Sequence, residues 1–586
     1  MKASRQPARA PATLGTALAT AAHSGDGLTF VRSLQDESSL SWAAIEERAY
    51  RCAAGLHLAG VARGDRVALI LPTGPDFPLA FFGCVLAGAV PVPLYPPVRL
   101  GRLNEYHVAT AAMLTAAGAR LIISTRRIRS LLGETVARAR PPLGCRTVAD
   151  FDCDPAGAPT PAAPDDLALI QFSSGTTRAP RPVALTHTAI MAQCEAMRPL
   201  LRGKDGDTQR GVSWLPLYHD MGLIGSLLGA VAYPGPLTLI PPERFLASPA
   251  LWLQTIARQR ATISPAPPFA FALCARRIRD EEMAGCDLST WRLAICGAEP
   301  IVPAVLERFA ERFAPWGFSA RALAPAYGLA EASLAVTCTA PDAEPLFAAV
   351  DPGRLAVGEA IGPGERPVTA VGAPLPDIRL EIRNADGDPL NDDHCGHIWV
   401  QGPTLMREYL DQPEATAAVL RDGWLDTGDL GFRRDGNLFV IGRTKDVVVV
   451  RGANHRAAEF EDCLQDLAGV RPGRVVAGGF IPTGADGEEL LLLIERSPHA
   501  REISAADLIA AVKVRVRERT GIQPGRVVIV EPGTLPRTSS GKLRRAASLD
   551  QYHAGTLSQP AKVHGAALAG QFIRSAFAFL RTRLRP

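Results

Sequence analysis

The sequence predicts an α/β fold: a large N-terminal region of parallel-sheet α/β subdomains with a β-rich subdomain, then a small terminal α/β domain. Three observations predict it. Strands alternate with helices early in the chain, and short strands separated by turns replace that alternation after about residue 370. The third is length, since 586 residues exceed the roughly 100–200 of one domain. Taken in order, apolar residues recur at helical spacing over 40–58 (Trp42, Ile45, Ala49, Cys52, Ala53, Leu56). Residues 64–71 read as a buried strand, and the apolar run 79–95 as a buried helix followed by a buried strand. A helix over 104–117, a strand over 120–125 and a helix over 127–139 continue the alternation, which implies a parallel sheet covered on both faces. The Pro- and Ala-rich stretch 154–166 marks a surface connection, and 166–174 is a strand leading into a polar loop. Later strands are expected over 378–384, 397–402, 438–442 and 447–452, with a junction at 443–446. No internal repeat is present.

Composition excludes several functions. A net charge of +4 is too balanced for a general nucleic-acid binder. With 47% hydrophobic and 21% charged residues the chain is globular rather than disordered. The run 79–95 contains Gly83, Gly88, Pro91 and Pro93 and falls short of the roughly 20 residues that span a bilayer, so no transmembrane segment is expected. The first 25 residues make a poor signal-peptide core, which points to the cytoplasm. Eleven cysteines scattered from Cys52 to Cys463 without a C-x-x-C pair suggest free thiols, and His187, His219 and His455 lie too far apart for zinc-ligand spacing. Only six of the 63 basic residues are lysines (Lys2, Lys204, Lys445, Lys513, Lys542, Lys562), so a lysine inside a motif is informative. Near the end, Phe572, Ile573, Ala576, Phe579, Leu580 and Leu584 form one helical face ringed by arginines. That tail reads either as a helix docked on its own domain or as a peripheral membrane or partner contact.

The strongest local signal is Phe172-Ser173-Ser174-Gly175-Thr176-Thr177-Arg178-Ala179-Pro180-Arg181. Small hydroxyl residues and Gly after a buried strand let backbone N–H groups approach a polyanion, hydroxyls donate, and arginines neutralise charge. Such a loop alone is more often a solvated turn. Trp214-Leu215-Pro216-Leu217-Tyr218-His219-Asp220-Met221-Gly222 places a His in an apolar stretch, where a structural His is the plain alternative. Gly297, Ala298 and Glu299 follow a short apolar strand. Tyr327 and Gly328 offer an aromatic face near Glu331, a carboxylate suited to Mg²⁺. Trp424-Leu425-Asp426-Thr427-Gly428-Asp429 supplies a loop carboxylate suited to paired ribose hydroxyls. Arg443-Thr444-Lys445-Asp446 and Arg537-Thr538-Ser539-Ser540-Gly541-Lys542 flank the last domain. Singly, each of these also reads as an ordinary turn.

In this order the segments resemble those of the adenylate-forming superfamily: acyl-CoA synthetases, peptide-synthetase adenylation domains and luciferases. The resemblance covers about residues 15–555. It implies an N-terminal adenylation domain over 1–442 with an insertion at about 344–371, a hinge at 443–446 and a mobile C-terminal domain over 447–556. A basic amphipathic tail follows at 557–586. Within the superfamily the chain looks most like the fatty acyl-AMP ligases, on the 214–222 motif, Ala330 after Tyr-Gly-Leu, Arg178 in the loop, and the insertion with Asp351-Pro352-Gly353-Arg354-Leu355.

The resemblance implies ATP-dependent activation of a fatty acid to an acyl-adenylate with release of pyrophosphate. Transfer to the phosphopantetheine thiol of an acyl carrier protein, or of a polyketide or peptide synthase carrier domain, follows in trans. Lys542 would bridge carboxylate and α-phosphate, and His219 would orient the carboxylate. Ser173, Ser174, Gly175, Thr176, Thr177 and Arg178 would hold phosphates, and Glu331 would ligate Mg²⁺. Gly297, Ala298, Glu299, Tyr327 and Gly328 would line the adenine site, Asp429 and Arg443 would hold ribose, and Lys445 would be the hinge. One departure stands out: relatives often carry Lys-Gly where this chain has Arg181-Pro182, and Pro182 removes a backbone donor. The alternatives are a fatty acyl-CoA synthetase and a catalytically silent acyl- or nucleotide-binding relative.

Overall fold

The computed structural model describes residues 11–97, 100–154, 162–173, 180–201, 209–351, 354–443, 447–450, 453–480, 482, 489–498, 500, 502–538, 542–559, 574–576 and 578. The fold is α/β. A nine-stranded sheet carries the middle of the chain. Its inner strands Leu323–Gly328, Leu293–Cys296, Ile263–Ala266, Gly211–Ser213, Leu237–Leu239 and Gly27–Ser33 pair in parallel, and antiparallel strands close both edges. A four-stranded, all-parallel sheet holds Val90–Pro93, Arg66–Ile70, Leu121–Ser124 and Cys145–Thr147. The first three are the strands expected within 79–95, at 64–71 and at 120–125; Cys145–Thr147 was not expected.

The helices follow their apolar spacing. Trp42–Leu58 starts at Ser41, whose Oγ accepts from the Ala44 amide, and buries Trp42, Ile45, Ala49, Cys52, Ala53 and Leu56. It packs on Asp76–Leu86, a helix buried all round. Contact is close: a Cβ on Gly83 would stand 2.5 Å from Cys52 Sγ. The helix expected over 127–139 is broken into Arg126–Arg129 and Gly133–Ala139. There the Gly133 amide donates to Ser575 Oγ at 2.8 Å instead of to a helical carbonyl. Ser575 is itself buried, so the one turn of the tail described here lies against its own chain. Phe572, Ile573, Phe579, Leu580 and Leu584 lie outside the described residues.

The β-rich region after residue 370 is a five-stranded antiparallel sheet: Arg379–Arg383, Gly396–Gln401, Trp424–Arg434, Leu420–Arg421 and Asn437–Arg443. One expectation fails here. Trp424 to Asp429 is not a loop but the first half of a long strand, Trp424–Arg434. Irregularities at Leu430/Gly431 and across from His397/Trp399 break its two-residue alternation and hide it from a periodicity reading. Within 344–371, strands Phe347–Val350 and Arg366–Thr369 form a hairpin. Its Ala348, Val350 and Val368 pack with Phe432, Phe439 and Ile441 of that sheet. Past 446, Val470–Phe480, Glu489–Arg496 and Arg526–Val530 form a separate three-stranded sheet, with helix Ala505–Thr520 supplying Leu508, Val512 and Val516 to its core. All eleven cysteines are free. No described helix is long and apolar enough to cross a membrane.

His187, at the start of helix His187–Leu201, ties the N-terminal helix Leu14–Ala21 to this body. Its Nδ1 accepts the Leu14 amide at 3.2 Å, so the ring must stay neutral on that nitrogen. Burial pushes its pKa down to about 4, against a partial opposing pull from Asp166. The unfolded chain takes up this proton near pH 6.5 and the folded chain only near 4. Stability should therefore be full above pH 6.5 and fall between 6.5 and about 4, by on the order of 3 kcal/mol in total. His187→Gln keeps an acceptor and does not titrate. Urea midpoints at pH 7.5 and 5 should differ less in that variant than in the wild type, and an equal difference would remove His187 as the cause.

Candidate active site

Lys542 lies on a short loop that the chain ties off itself: the Thr538 amide donates to the Lys542 carbonyl at 2.8 Å, and the Lys542 amide to Thr538 Oγ1 at 3.0 Å. Its ammonium is coupled electrostatically to groups from distant parts of the chain. Burial lowers its pKa; Glu299, then Asp220, and more weakly Asp429 push it back up, while Arg443 adds to the lowering. Glu299 shows the reciprocal effect. Burial raises its pKa, and Lys542, Arg474 and His219 oppose the rise.

Asp220 and His219 stand at the end of the 214–222 turn. The turn is compact because a Cβ on Gly222 would lie 2.3 Å from the Pro216 carbonyl oxygen, so only Gly fits. The His219 amide donates to Pro216 O at 3.1 Å, and Gln171 Nε2 holds the Tyr218 carbonyl at 2.9 Å. His219 Nδ1 and Asp220 Oδ1 are 2.6 Å apart. That distance suits Nδ1–H donating to the carboxylate and leaves Nε2 for another partner. Burial alone would raise the Asp220 pKa, but His219 and Lys542 together hold it below the usual range.

Beside this cluster, Tyr327 donates its hydroxyl to Asp429 Oδ2 at 2.7 Å, and Arg443 Nε donates to Asp429 Oδ1 at 3.1 Å. Register explains the pair: Asp429 is opposite Arg443 in the antiparallel ladder. Burial, reinforced by Asp429, drives the Tyr327 phenol well above its ordinary pKa and keeps it a donor. The backbone nearby leaves no room for side chains: a Cβ on Gly297 would meet Ala326 O at 2.8 Å, and on Gly328 Leu334 O at 1.8 Å. Ala298 sits at φ 71°, a conformation that costs a non-glycine residue about 1–3 kcal/mol and is typical of sites the surroundings hold in place.

Glu331 accepts the Tyr409 hydroxyl on Oε1 at 2.8 Å, and burial raises its pKa while Arg443 draws it down. Arg181 lies over the Tyr409 ring, 4.8 Å from its centroid. Arg181 also closes the mouth of the hydroxyl-rich loop: its amide donates to Ser173 Oγ at 3.1 Å, and its carbonyl accepts the Ser173 amide at 2.9 Å. Pro182 is the first residue of strand Pro182–Thr186, where a missing N–H is tolerated.

Of the residues singled out from sequence, Lys542, His219, Glu299, Asp429 and Arg443 are thus electrostatically coupled, with Tyr327 and Glu331 on Asp429 and Arg443. Ser174, Gly175, Thr176, Thr177, Arg178 and Lys445, the residue expected at the hinge, lie outside the described residues. Asp220, Tyr409 and Arg474 were not assigned roles. Asp220 could have been found beside His219; nothing local marks the other two.

A family model described as AMP-binding enzyme matches residues 18–410. The chain belongs to that family. Among its relatives, a Caulobacter vibrioides protein with a provisional acyl-CoA synthetase name is 37% identical over 93% of this chain and 96% of its own length. The medium-chain-fatty-acid–[acyl-carrier-protein] ligase JamA of Moorena producens is 32% identical over 90% and 92%. A solved structure from work on fatty acyl-adenylate ligases of E. coli and L. pneumophila matches with a TM-score of 0.86 at 34% identity, over 93% of this chain and 99% of that one. The AMP-binding enzyme described here is therefore an adenylate-forming ligase of the fatty acyl-AMP ligase type, and ATP is its nucleotide.

Proposed function

We propose that this enzyme joins a fatty carboxylate to the α-phosphorus of ATP, expels pyrophosphate, and passes the acyl group to the phosphopantetheine thiol of an acyl carrier protein in trans. The observation that carries the reading is the electrostatic coupling of Lys542 with Glu299, Asp220 and Asp429, groups far apart in the chain. Both reactants are anions, so the barrier is governed by positioning and charge neutralisation. Lys542 supplies a positive charge between carboxylate and α-phosphate, and its carboxylate neighbours keep it protonated against the lowering by burial. His219, held by Asp220 through Nδ1, presents Nε2 to the fatty carboxylate. Tyr327 packs beside adenine along the Gly297–Ala298–Glu299 turn, Asp429 takes the ribose hydroxyls with Arg443, and Ser173 with residues 174–178 cradles the phosphates.

Glu331 fits a divalent cation. One oxygen is fixed by Tyr409, and burial penalises the negative charge that Mg²⁺ would offset. Among the described residues no group of three or more His, Cys, Asp or Glu could hold a metal. Glu331 would thus be one ligand among phosphate oxygens and waters, the usual Mg²⁺ arrangement, and the ion would neutralise triphosphate charge. The division into 1–442, a hinge at 443–446 and 447–556 belongs to the same reading, with the second part turning about Lys445 between half-reactions.

The acceptor is the point to test. JamA's name favours a carrier protein; the name of the C. vibrioides relative favours coenzyme A. Incubation with ATP, dodecanoic acid and either holo-acyl carrier protein or coenzyme A should give acyl-carrier thioester at least 10-fold faster than acyl-CoA. Faster acyl-CoA formation would replace the carrier protein with coenzyme A and leave the adenylation step intact.

A further inference from the structure

Arg102 caps helix Leu103–Ala116, which is anchored by buried Leu103, Tyr106 and Leu114 beside the four-stranded parallel sheet. Its side chain is only 11% exposed. The guanidinium turns away from that sheet toward the last part of the chain. Nη2 donates to the carbonyls of Gly533 at 3.1 Å, Thr534 at 3.0 Å and Ser558 at 3.0 Å, and Nη1 is held by Glu105 at 3.0 Å. Two N–H bonds shared among three carbonyls make a charge-assisted clasp that a lysine cannot reproduce.

The grasped segment is the one that carries Lys542. After Gly533 and Thr534, the Leu535 amide donates to Glu495 Oε1 at 3.1 Å, Arg537 pairs with Glu495 at 2.8 Å, and the Thr538–Lys542 loop follows. Ser558 lies just beyond helix Arg545–His553, which follows Lys542. Arg102 therefore grips the chain on both sides of Lys542, from the part of the molecule that carries Glu299 and Asp220.

We propose that Arg102 is a positioning residue for adenylation: it holds the 447–559 part in the arrangement that brings Lys542 to the fatty carboxylate and ATP, and it is released for the transfer step. This rests on the reading of Lys542 as the adenylation cation. The three carbonyls belong to backbone that moves with Lys542, so an arrangement that withdraws Lys542 also withdraws them. Losing the clasp removes a bias toward one arrangement and leaves the other untouched.

The experiment separates the half-reactions. Arg102→Ala should slow pyrophosphate release from ATP and dodecanoic acid by about 10- to 100-fold in kcat with little change in the KM for ATP. Discharge of supplied dodecanoyl-AMP onto the acceptor that wild type uses should stay at the wild-type rate or rise. Arg102→Lys should recover only part of the adenylation rate. Wild-type adenylation in Arg102→Ala, or equal loss of both half-reactions in a folded variant, overturns the proposal. If the Ala variant folds poorly, Arg102→Gln carries the same comparison. Lys542→Ala run alongside keeps the two readings apart: if it adenylates normally both fall, whereas if it is inactive and Arg102→Ala is not, only the role of Arg102 falls.

Discussion

Lys542→Ala should lose acyl-adenylate formation by 10²-fold or more, because removing a preorganised charge from a developing anionic centre costs several kcal/mol of barrier. The prediction is specific to the ammonium. Burial lowers the Lys542 pKa, and Glu299, Asp220 and Asp429 only partly restore it. The protonated, active form should accordingly be lost on the alkaline side at a pH below the ordinary lysine value of 10.5. A pH profile of pyrophosphate release from the wild type should show that alkaline limb. In Lys542→Arg, whose cation does not titrate in this range, the limb should vanish from whatever activity survives. A folded Lys542→Ala enzyme that releases pyrophosphate at the normal rate would remove this residue from the chemistry.

How far the sequence reached follows from what kind of signal each residue carried. Lys542 was legible because lysine is rare in a chain whose cations are mostly arginine. The parallel sheets were legible because a helix buried on one face leaves a periodic record, as at Trp42–Leu58, and a strand covered on both faces leaves a short unbroken apolar run, as at Arg66–Ile70. Asp429 was picked out as a ribose carboxylate but assigned to a loop, since irregular pairing in Trp424–Arg434 erased the alternation that would have marked a strand. The turn that closes this strand against Asn437–Arg443 went unread, although its Asp435 and Gly436 both stand at positive φ as a two-residue hairpin demands. The parts that could not be read are those made by long-range convergence. Tyr409 joins Glu331 to Arg181, Arg474 reaches Glu299, and Arg102 grips carbonyls more than four hundred positions away. None of these side chains has a neighbour in sequence that announces its task.

Glu495 is the second site where one substitution should have a large effect, here on stability. It is fully buried on strand Glu489–Arg496. It accepts from Arg471 at 2.9 Å, Arg537 at 2.8 Å and the Leu535 amide at 3.1 Å. Arg537 is itself only 8% exposed, so Glu495→Ala leaves a buried cation and a buried N–H without their carboxylate. Breaking such a pair from one side typically costs about 3–5 kcal/mol. The loss should be local, because the bonds tie the segment before Lys542 to the three-stranded sheet and touch neither large sheet. Amide exchange should accelerate in Val470–Phe480, Glu489–Arg496 and Arg526–Val530 while strands such as Arg66–Ile70 stay protected. Adenylation should fall with it, since the base of the Lys542 loop loses its anchor. Glu495→Gln keeps an acceptor oxygen but not the charge, and should lose less of both. Exchange in the three-stranded sheet that is unchanged in Glu495→Ala would mean that the buried carboxylate contributes nothing net to holding Lys542 in place.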